Sequence, residues 1–260
     1  MAKPSQPAAD PILAYRDERF IDSNAARPVR ILSEYLGPLA ALTRARVHDT
    51  IVFFGSSRLT EDGPLGRYYQ DARQLARQVT AWSHSLPAGR HRLIVCSGGA
   101  GGIMEAANRG AAEAGGPTIG FNIGLPHEQR PNAYVSRDLI FEFHYFFMRK
   151  LWFAHLARAI VVFPGGFGTM DEMFEILTLS QTRKLDRPIF LLLYGSAYWR
   201  EVVNFEALLR HGVVRLEDLE LVHWADDPDT ALRLLQQGIR LDGGEESPAF
   251  AESIAAANAQ

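Results

Sequence analysis

The chain has 260 residues, 47% of them hydrophobic, and a formal net charge of -3, so it can bury the core of one large α/β domain or two small ones. The acidic balance, without any lysine- or arginine-rich block, excludes a nucleic-acid surface of the usual basic kind. The single cysteine, Cys96, excludes a disulfide framework and a cysteine metal cluster, and no apolar run is long enough to predict a membrane span.

The two ends of the chain differ from its middle in composition. Residues 1–12 are rich in Ala, Pro and Ser, and residues 243–260 pass from a Gly-Gly-Glu-Glu run into an Ala-rich stretch. We expect both to be flexible tails. The N-terminal stretch has no apolar signal core, which favours a cytoplasmic protein. Between the tails we expect one nucleotide-binding domain over residues 13–242, with an N-terminal helical extension over about 13–47.

The first long predicted element is a helix over Pro28–Arg46, because apolar residues recur there at helical spacing. The pair Gly37-Pro38 predicts a break in this helix, since proline lacks the N–H group that the helix needs. We expect the helix to pack on the outside of the main domain or on a partner subunit.

From Thr50 onward, strands and helices alternate. The predicted strands are Thr50–Phe54, Arg92–Cys96, Thr118–Phe121, Leu139–Phe143, Ala159–Phe163, Pro188–Tyr194 and Leu219–Val222. The predicted helices are Gly66–Ser85, Gly102–Ala114, Tyr145–Leu156, Thr169–Thr182, Ser196–His211 and Pro228–Gly238. This order predicts an α/β fold: a Rossmann-like, doubly wound parallel sheet with helices on both faces and extra N-terminal helices. Such sheets bind ligands at the carboxyl ends of strands, near the point where the strand order reverses.

Three loops rich in glycine or serine follow predicted strands, and Pro164–Glu172 is the most informative of them. Its glycines allow the backbone to approach a ligand closely, and the first-turn N–H groups and dipole of the following helix favour an anion. The other two loops are Gly55–Arg58 and Ser97–Gly102. Asp171 and Glu172 put carboxylates beside this site, although acidic residues are common in a first helical turn for dipole reasons alone.

The glycine loops match no common nucleotide fingerprint. The dinucleotide pattern fails at Met104 and at Asp171, where glycine or alanine is required, and no P-loop with a Gly-Lys-Ser/Thr ending exists. Each loop alone could be a tight turn, but together, at strand ends of one sheet, they favour a phosphorylated ligand. The histidines lack metal-ligand spacing, so we expect neither a metal nor another cofactor.

A pair of cations, Arg149-Lys150, lies in a strongly aromatic predicted helix. One helix and one strand separate Arg149 from Glu172, and a βαβ layer could bring both to one cleft at the strand ends. The alternative is an Arg-Lys pair that extends to solvent from a half-buried helix. The neighbouring glycine loops favour the cleft.

Taken together, these motifs resemble the LOG ("lonely guy") family of phosphoribohydrolases, long labelled "possible lysine decarboxylase". The resemblance covers about residues 50–238. The motifs that carry it are Phe54-Gly55-Ser56-Ser57, Gly98-Gly99, Gly102-Ile103-Met104-Glu105-Ala106-Ala107-Asn108-Arg109-Gly110, Leu125-Pro126-His127-Glu128-Gln129, Arg149-Lys150 and Pro164-Gly165-Gly166-Phe167-Gly168-Thr169 with Glu172. The family's members hydrolyse the N-glycosidic bond of nucleoside 5′-monophosphates, either cytokinin riboside monophosphates or AMP, to free base and ribose 5-phosphate.

The resemblance implies roles for individual residues of this chain. Arg149 and Glu172 match the family's catalytic pair. The substrate-binding residues that we expect from the resemblance and from the glycine loops are Ser56, Gly98, Gly99, Glu128, Lys150, Gly166, Phe167, Gly168, Thr169, Met170, Asp171 and Thr178. The implied ligand is a small-molecule nucleotide, with no nucleic acid and no membrane as a partner.

The N-terminal helical region resembles that of the longer bacterial members, which implies a homodimer or a larger homo-oligomer, up to a hexamer, with sites near the dimer interface. Three departures from the family pattern leave the choice between cytokinin nucleotide and AMP open. Phe146-Phe147 replaces the Met-His of short cytokinin-activating members, Ser97 and Ala100 interrupt the usual glycine run, and Asp171 stands where Glu is common.

Two other functions remain open from the residues. A non-catalytic carrier of a nucleotide or of the molybdenum cofactor has similar glycine loops, although Arg149 and Glu172 argue for turnover. A pyridoxal-dependent decarboxylase needs a Schiff-base lysine and a partner for the ring nitrogen. Lys150 and Lys184 are the lysines of the site region, and neither has that setting.

Overall fold

The computed structural model describes residues 12–87, 93–125 and 130–239. Its centre is a parallel sheet of seven strands in the order β4-β3-β2-β1-β5-β6-β7. The strands are β1 (Thr50–Phe54), β2 (Ile94–Ser97), β3 (Thr118–Ile123), β4 (Ile140–Phe143), β5 (Ala157–Val162), β6 (Phe190–Tyr194) and β7 (Val222–Ala225). The order reverses between β1 and β5, so the crevice that this fold uses for ligands lies between the carboxyl ends of those two strands.

Helices cover both faces of the sheet, as predicted. They are α1 (Glu18–Ile21), α2 (Arg27–Arg44), α3 (Gly66–Ser85), α4 (Ile103–Glu113), α5 (Phe146–Leu156), α6 (Phe167–Gln181), α7 (Ser196–Val202), α8 (Phe205–Arg210), α9 (Leu216–Leu219) and α10 (Pro228–Gly238). Buried side chains of α2, α5 and α6 share one core layer with Val52 and Phe54 of β1. Those of α3, α4 and α10 share the other with Ile51 and Phe53. Successive strand residues face opposite layers, which is why the central strands are continuous apolar runs.

The predicted break at Gly37-Pro38 is wrong, because α2 continues through both residues. Proline 38 has no N–H group to donate to the carbonyl of Glu34, four residues earlier. The indole Nε1–H of Trp152 donates to that carbonyl instead, at 3.0 Å. A remote side chain therefore satisfies the acceptor that the proline leaves without its helical partner, and the helix persists.

Two predictions near the C-terminal end need correction. The predicted helix Ser196–His211 is two helices, α7 and α8, separated at Val203 and Asn204. The side chain of Asn204 accepts a hydrogen bond from the N–H of Ala207 at 2.8 Å, so it begins a new helix as an N-cap. The last strand begins at Val222, whereas Leu219 ends the short helix α9.

The other elements predicted from Thr50 onward agree with the structure within two residues at each end where their ends are described. Both predicted tails lie almost wholly outside the described residues, and so does Arg92, the predicted start of β2. Within the described ranges, no helix combines the length and the apolar character that crossing a membrane requires.

Candidate functional site

The three loops predicted from the sequence meet at the carboxyl edge of the sheet. The N–H of Ser56, in the loop after β1, donates to the carbonyl of Pro164 after β5 at 3.0 Å. The carbonyl of Ser56 accepts from the N–H of Ile103, the first residue of α4, at 3.1 Å. These two bonds join the loops after β1, β2 and β5 into one surface at the switch point.

The glycine turn before α6 leaves room beside its backbone. A Cβ atom at Gly166 or Gly168 would meet nothing within 4 Å, whereas one at Gly165 would lie 2.2 Å from the hydroxyl of buried Thr169. Gly165 must therefore be glycine, because Thr169 packs directly against it. Gly166 is the N-cap of α6 and offers no side-chain cap, so the first-turn N–H groups of this helix are suited to an anion.

A cavity of about 340 Å³ lies between the loop after β1 and this turn, and its lining includes Ser56, Arg58, Gly165, Gly166 and Tyr198. The hydroxyl of Tyr198 donates to the carbonyl of Gly165 at 2.8 Å. The loop after β1 thus forms one wall of the cavity, and the turn after β5 forms another.

A buried polar network holds the loop after β2. The hydroxyl of Ser97 accepts from the N–H of Gly99 at 3.0 Å and donates to the side-chain oxygen of Asn108 at 2.7 Å. The side-chain amide of Asn132 donates to the same oxygen at 2.9 Å and to the carbonyls of Gly99 and Ala100 at 3.1 and 3.0 Å. Gly99 itself has a φ of 69°, which favours glycine. These hydrogen bonds hold the backbone of the loop that contains Gly98-Gly99.

Arg149 and Glu172 form the central ion pair of the site. The Nη2 atom of Arg149 lies 2.7 Å from Oε1 of Glu172, and the two side chains are only 11% and 12% exposed. The guanidinium also lies over the rings of Phe146 and Phe153, at 5.4 and 5.6 Å from their centroids. The structure therefore brings these two residues together, as the sequence predicts.

The pKa of Glu172 is higher than that of an ordinary glutamate, although an ion pair with arginine usually lowers the pKa of a carboxyl group. Burial raises the pKa of Glu172 to about 7, although the positive charge of Arg149 acts in the opposite direction. The neighbouring carboxylate of Asp171 also raises this pKa. A buried carboxyl group whose pKa is raised toward neutral pH is a candidate for acid–base or charge-stabilising chemistry.

Lys150 lies beside this pair and binds two carboxylates of α6. Its Nζ atom is 3.2 Å from Asp171 and 2.7 Å from Glu175. Burial alone would lower the pKa of Lys150, but the hydrogen bonds and charges of Glu175 and Asp171 together raise it. Lys150 is therefore a protonated cation at neutral pH.

The remaining predicted residues have different surroundings. Phe167 is 92% exposed at the start of α6, and Met170 packs against the core layer under that helix. The hydroxyl of Thr178 donates to the carbonyl of Phe174 in its own helix at 2.7 Å, and Thr178 lines a separate cavity of about 110 Å³. Glu128 falls outside the described residues.

Sequence reasoning missed several residues that shape the site. Ser97 interrupts a glycine pattern in the sequence, yet its hydroxyl is a hydrogen-bond centre of the loop after β2. Asn132 carried no signal, because a single polar residue in a loop has no periodicity. Glu175 could have been found, since it lies one helical turn after Asp171 on the face that meets Lys150.

The described residues contain no group of three or more His, Cys, Asp and Glu side chains that could hold a metal ion. Cys96 is fully buried in the core, where burial raises the pKa of its thiol. The charged groups of the described site include Arg149 and Lys150 with the carboxylates of Glu172, Asp171 and Glu175.

Comparison with known proteins gives one family match. The model described as "Possible lysine decarboxylase" matches residues 104–235, a range that contains Arg149, Lys150 and Glu172. The chain is 24% identical over 197 residues to the cytokinin riboside 5′-monophosphate phosphoribohydrolase LOG2 of Arabidopsis thaliana, covering 75% of this chain and 85% of the relative.

Solved structures show the same fold. The molybdenum cofactor binding protein of Rippkaea orientalis aligns with a TM-score of 0.51 and 20% identity, over 74% of this chain and 98% of that one. The molybdenum cofactor carrier protein of Chlamydomonas reinhardtii aligns with a TM-score of 0.50 and 25% identity, over 73% and 96% of the two chains.

Proposed function

Because this chain belongs to the LOG family, whose model carries the description "Possible lysine decarboxylase", we propose that it hydrolyses the N-glycosidic bond of nucleoside 5′-monophosphates. The products are the free base and ribose 5-phosphate. The observation that carries the proposal is the buried ion pair of Arg149 and Glu172 beside the glycine turn, with the pKa of Glu172 raised to about 7.

The chemistry of the bond explains why such a pair is useful. Breaking the bond between base and ribose builds positive charge on the sugar and negative charge on the departing base. We assign the carboxylate of Glu172 to the ribose side, where it engages hydroxyl groups, stabilises the oxocarbenium-like centre and helps to orient water, by analogy with the carboxylates of glycoside hydrolysis.

Arg149 has a different task. A guanidinium has a pKa above ~12 and does not act as a proton donor at neutral pH. We assign it to charge that develops in the transition state, or to fixing the nucleotide. The open backbone around Gly168 and Thr169, together with Gly98-Gly99, is assigned to the 5′-phosphate. Lys150 adds a protonated cation, which Asp171 and Glu175 of α6 hold. Binding the phosphate then positions the bond that reacts.

Substrate class and assembly go beyond the family assignment. The curated relative named above supports cytokinin riboside monophosphate, and AMP is the alternative base within the same reaction. We also propose a homodimer or larger homo-oligomer, because large apolar side chains around the site are exposed: Phe167 by 92%, Phe146 by 50% and Phe147 by 47%.

A carrier is the second candidate, and the likeness to the Chlamydomonas molybdenum cofactor carrier favours it. It would bind a nucleotide or the cofactor without releasing a product. A pyridoxal-dependent decarboxylase has less support, because Lys150 is held as a protonated cation between Asp171 and Glu175, whereas a Schiff-base lysine must react as the neutral amine.

The test is an assay of base release from AMP and, separately, from isopentenyladenosine monophosphate, with free base measured by chromatography. Wild type is compared with Glu172→Ala and with Glu201→Ala, a matched control at an exposed glutamate of α7. We expect release in wild type and in the control, and a loss of orders of magnitude in Glu172→Ala with the fold retained. The ratio of the two rates assigns the substrate class. Nucleotide binding without release from either substrate would favour the carrier, and near wild-type turnover in Glu172→Ala would contradict the role of Glu172.

A further inference from the structure

Glu34 connects the N-terminal helix α2 to the helix that carries Arg149 and Lys150. Its carboxylate oxygens accept hydrogen bonds from the backbone N–H groups of His144 at 2.8 Å and Tyr145 at 3.2 Å. Its main-chain carbonyl accepts from the indole N–H of Trp152 at 3.0 Å. One residue of α2 thus contacts α5 both just before its first turn and nearly two turns further along.

The charge of Glu34 suits the place where it binds. Tyr145 is the N-cap of α5 and its side chain makes no capping bond. A helix N-terminus carries partial positive charge and N–H groups without helical partners. The carboxylate of Glu34 binds the N–H of the N-cap residue, as the acidic residue of a capping box does, and also the N–H of the residue before it. Helix α5 has only 11 residues, a length at which packing and capping, rather than intrinsic propensity, decide whether a helix holds its shape.

The second contact depends on the proline in α2. Pro38 cannot donate to the carbonyl of Glu34, and Trp152, which is 1% exposed, needs a partner for its indole N–H. The two requirements satisfy each other. The sequence feature that predicted a break in α2 therefore provides an acceptor for the helix of the ion pair.

Arg149 lies between these two contacts in the chain. Its N–H group donates to the carbonyl of Tyr145 at 3.2 Å, so it belongs to the first turn that Glu34 caps. Its side chain is nearly buried and is held between Phe146 and Phe153. A shift or fraying of this turn therefore moves the guanidinium relative to Glu172.

We propose that Glu34 is a positioning residue for base release, which fixes the first turn of α5 and thereby the place of Arg149. The N-terminal helix is then part of the machinery of the site. This inference rests on the proposed function, and it adds a residue that lies outside the region of the family match, which begins at residue 104.

The test compares Glu34→Ala and Glu34→Gln with wild type. Glu18→Gln is the matched control, because Glu18 lies on α1 and its side chain makes no hydrogen bond or ion pair within the described part of the chain. We expect kcat to fall by roughly ten- to a hundredfold in Glu34→Ala and by less in Glu34→Gln, which keeps one oxygen acceptor, while KM changes by less than about twofold. Amide hydrogen exchange over residues 144–149 should become faster in the same order.

Each outcome bears on the inference. If Glu34→Ala does not fold, kcat and amide exchange in Glu34→Gln test the proposal. A wild-type kcat in a folded Glu34 variant overturns the proposal, even where exchange is faster, because the residue would then cap the helix without positioning Arg149. Unchanged exchange overturns it as well. A wild type that releases no base from either nucleotide overturns the proposed function, and with it the catalytic part of this inference, whereas the exchange experiment still decides whether Glu34 anchors α5.

Discussion

Two buried carboxylates at opposite edges of the sheet are paired with arginine, but in different ways. At the amino edge, Asp49 lies 2.8 Å from Arg187 and 3.3 Å from Arg158. Arg187 also donates to the carbonyl of His155 at 3.2 Å. At the carboxyl edge, Glu172 has one close arginine, and Asp171 adds a like charge nearby. Burial beside arginine alone therefore does not indicate function, whereas the raised pKa of Glu172 makes this residue a candidate for a functional site.

The two carboxylates, Asp49 and Glu172, differ for a physical reason. The two arginines that bind the buried Asp49 lock three segments of chain together, which is a structural role. At Glu172, burial raises the pKa against the charges of Arg149 and Lys150, and the carboxylates of Asp171 and Glu175 raise it further, so the charge of this group can change during a reaction. The predictions below test this contrast by removing one partner at a time.

The largest effect is expected from Arg149→Ala. It removes the cation nearest to Glu172 and the charge that faces the nucleotide, so we expect kcat for base release to fall by about a thousandfold. Steady-state kinetics with AMP or isopentenyladenosine monophosphate measures this, and thermal unfolding shows whether the variant is folded. A folded variant with kcat within tenfold of wild type would contradict the assignment.

Arg187→Ala should act on stability instead. It leaves the buried Asp49 with a single arginine, and we expect the free energy of unfolding to fall by about 3 kcal/mol. Because this edge lies away from the glycine loops, kcat should stay within about twofold of wild type. Denaturant unfolding and kinetics on the same preparation test both halves. A large fall in kcat without loss of stability would show that the two edges are not separate in function.

The raised pKa of Glu172 also predicts how stability depends on pH. A carboxyl whose pKa is higher in the folded chain binds its proton more tightly there, so its contribution to stability is complete below pH about 4.5 and is lost as the pH rises through about 7. In Glu172→Gln we expect the change in unfolding free energy between pH 5 and pH 8 to be smaller than in wild type by about 2 kcal/mol. Equal pH dependence in the two proteins would mean that Glu172 has an ordinary pKa.

The smallest effect is expected from Lys150→Ala. This lysine is shared between Asp171 and Glu175 and is assigned to the phosphate, so we expect KM to rise by about tenfold with kcat changed much less. The matched control is Lys184→Ala, which removes a lysine beyond the end of α6. An effect confined to kcat would move Lys150 from phosphate binding to the chemical step.

Much of the fold followed from the sequence because its determinants are local. The apolar run Thr50–Phe54 and the helical periodicity of Gly66–Ser85 and Pro228–Gly238 have the same bounds in the sequence and in the structure. Two of the failures have different causes, one a partner distant in the chain and the other a single capping residue. Trp152 satisfies the carbonyl that Pro38 leaves without its helical partner, and Asn204 starts a new helix within what reads as one apolar pattern.

The candidate site, like the fold, could be predicted in part. The sequence could predict that Arg149 and Glu172 meet, because they lie on two successive helices joined by one strand, and a βαβ layer can bring such helices to the same edge of the sheet. The contacts of Asn132 with the loop after β2 and of Glu34 with α5 could not, since each depends on one polar side chain that meets a distant backbone. Such contacts have no repeat or spacing in the sequence.

The pH dependence of kcat/KM for base release tests the central claim most directly, namely that the buried carboxylate of Glu172 acts in its ionised form. Since burial raises its pKa to about 7, we expect kcat/KM to rise about tenfold per pH unit below that value and to level off above it. This limb should be absent from the residual activity of Glu172→Gln. A wild-type profile that is flat across pH 5–8, or that falls as the pH rises, would contradict the account.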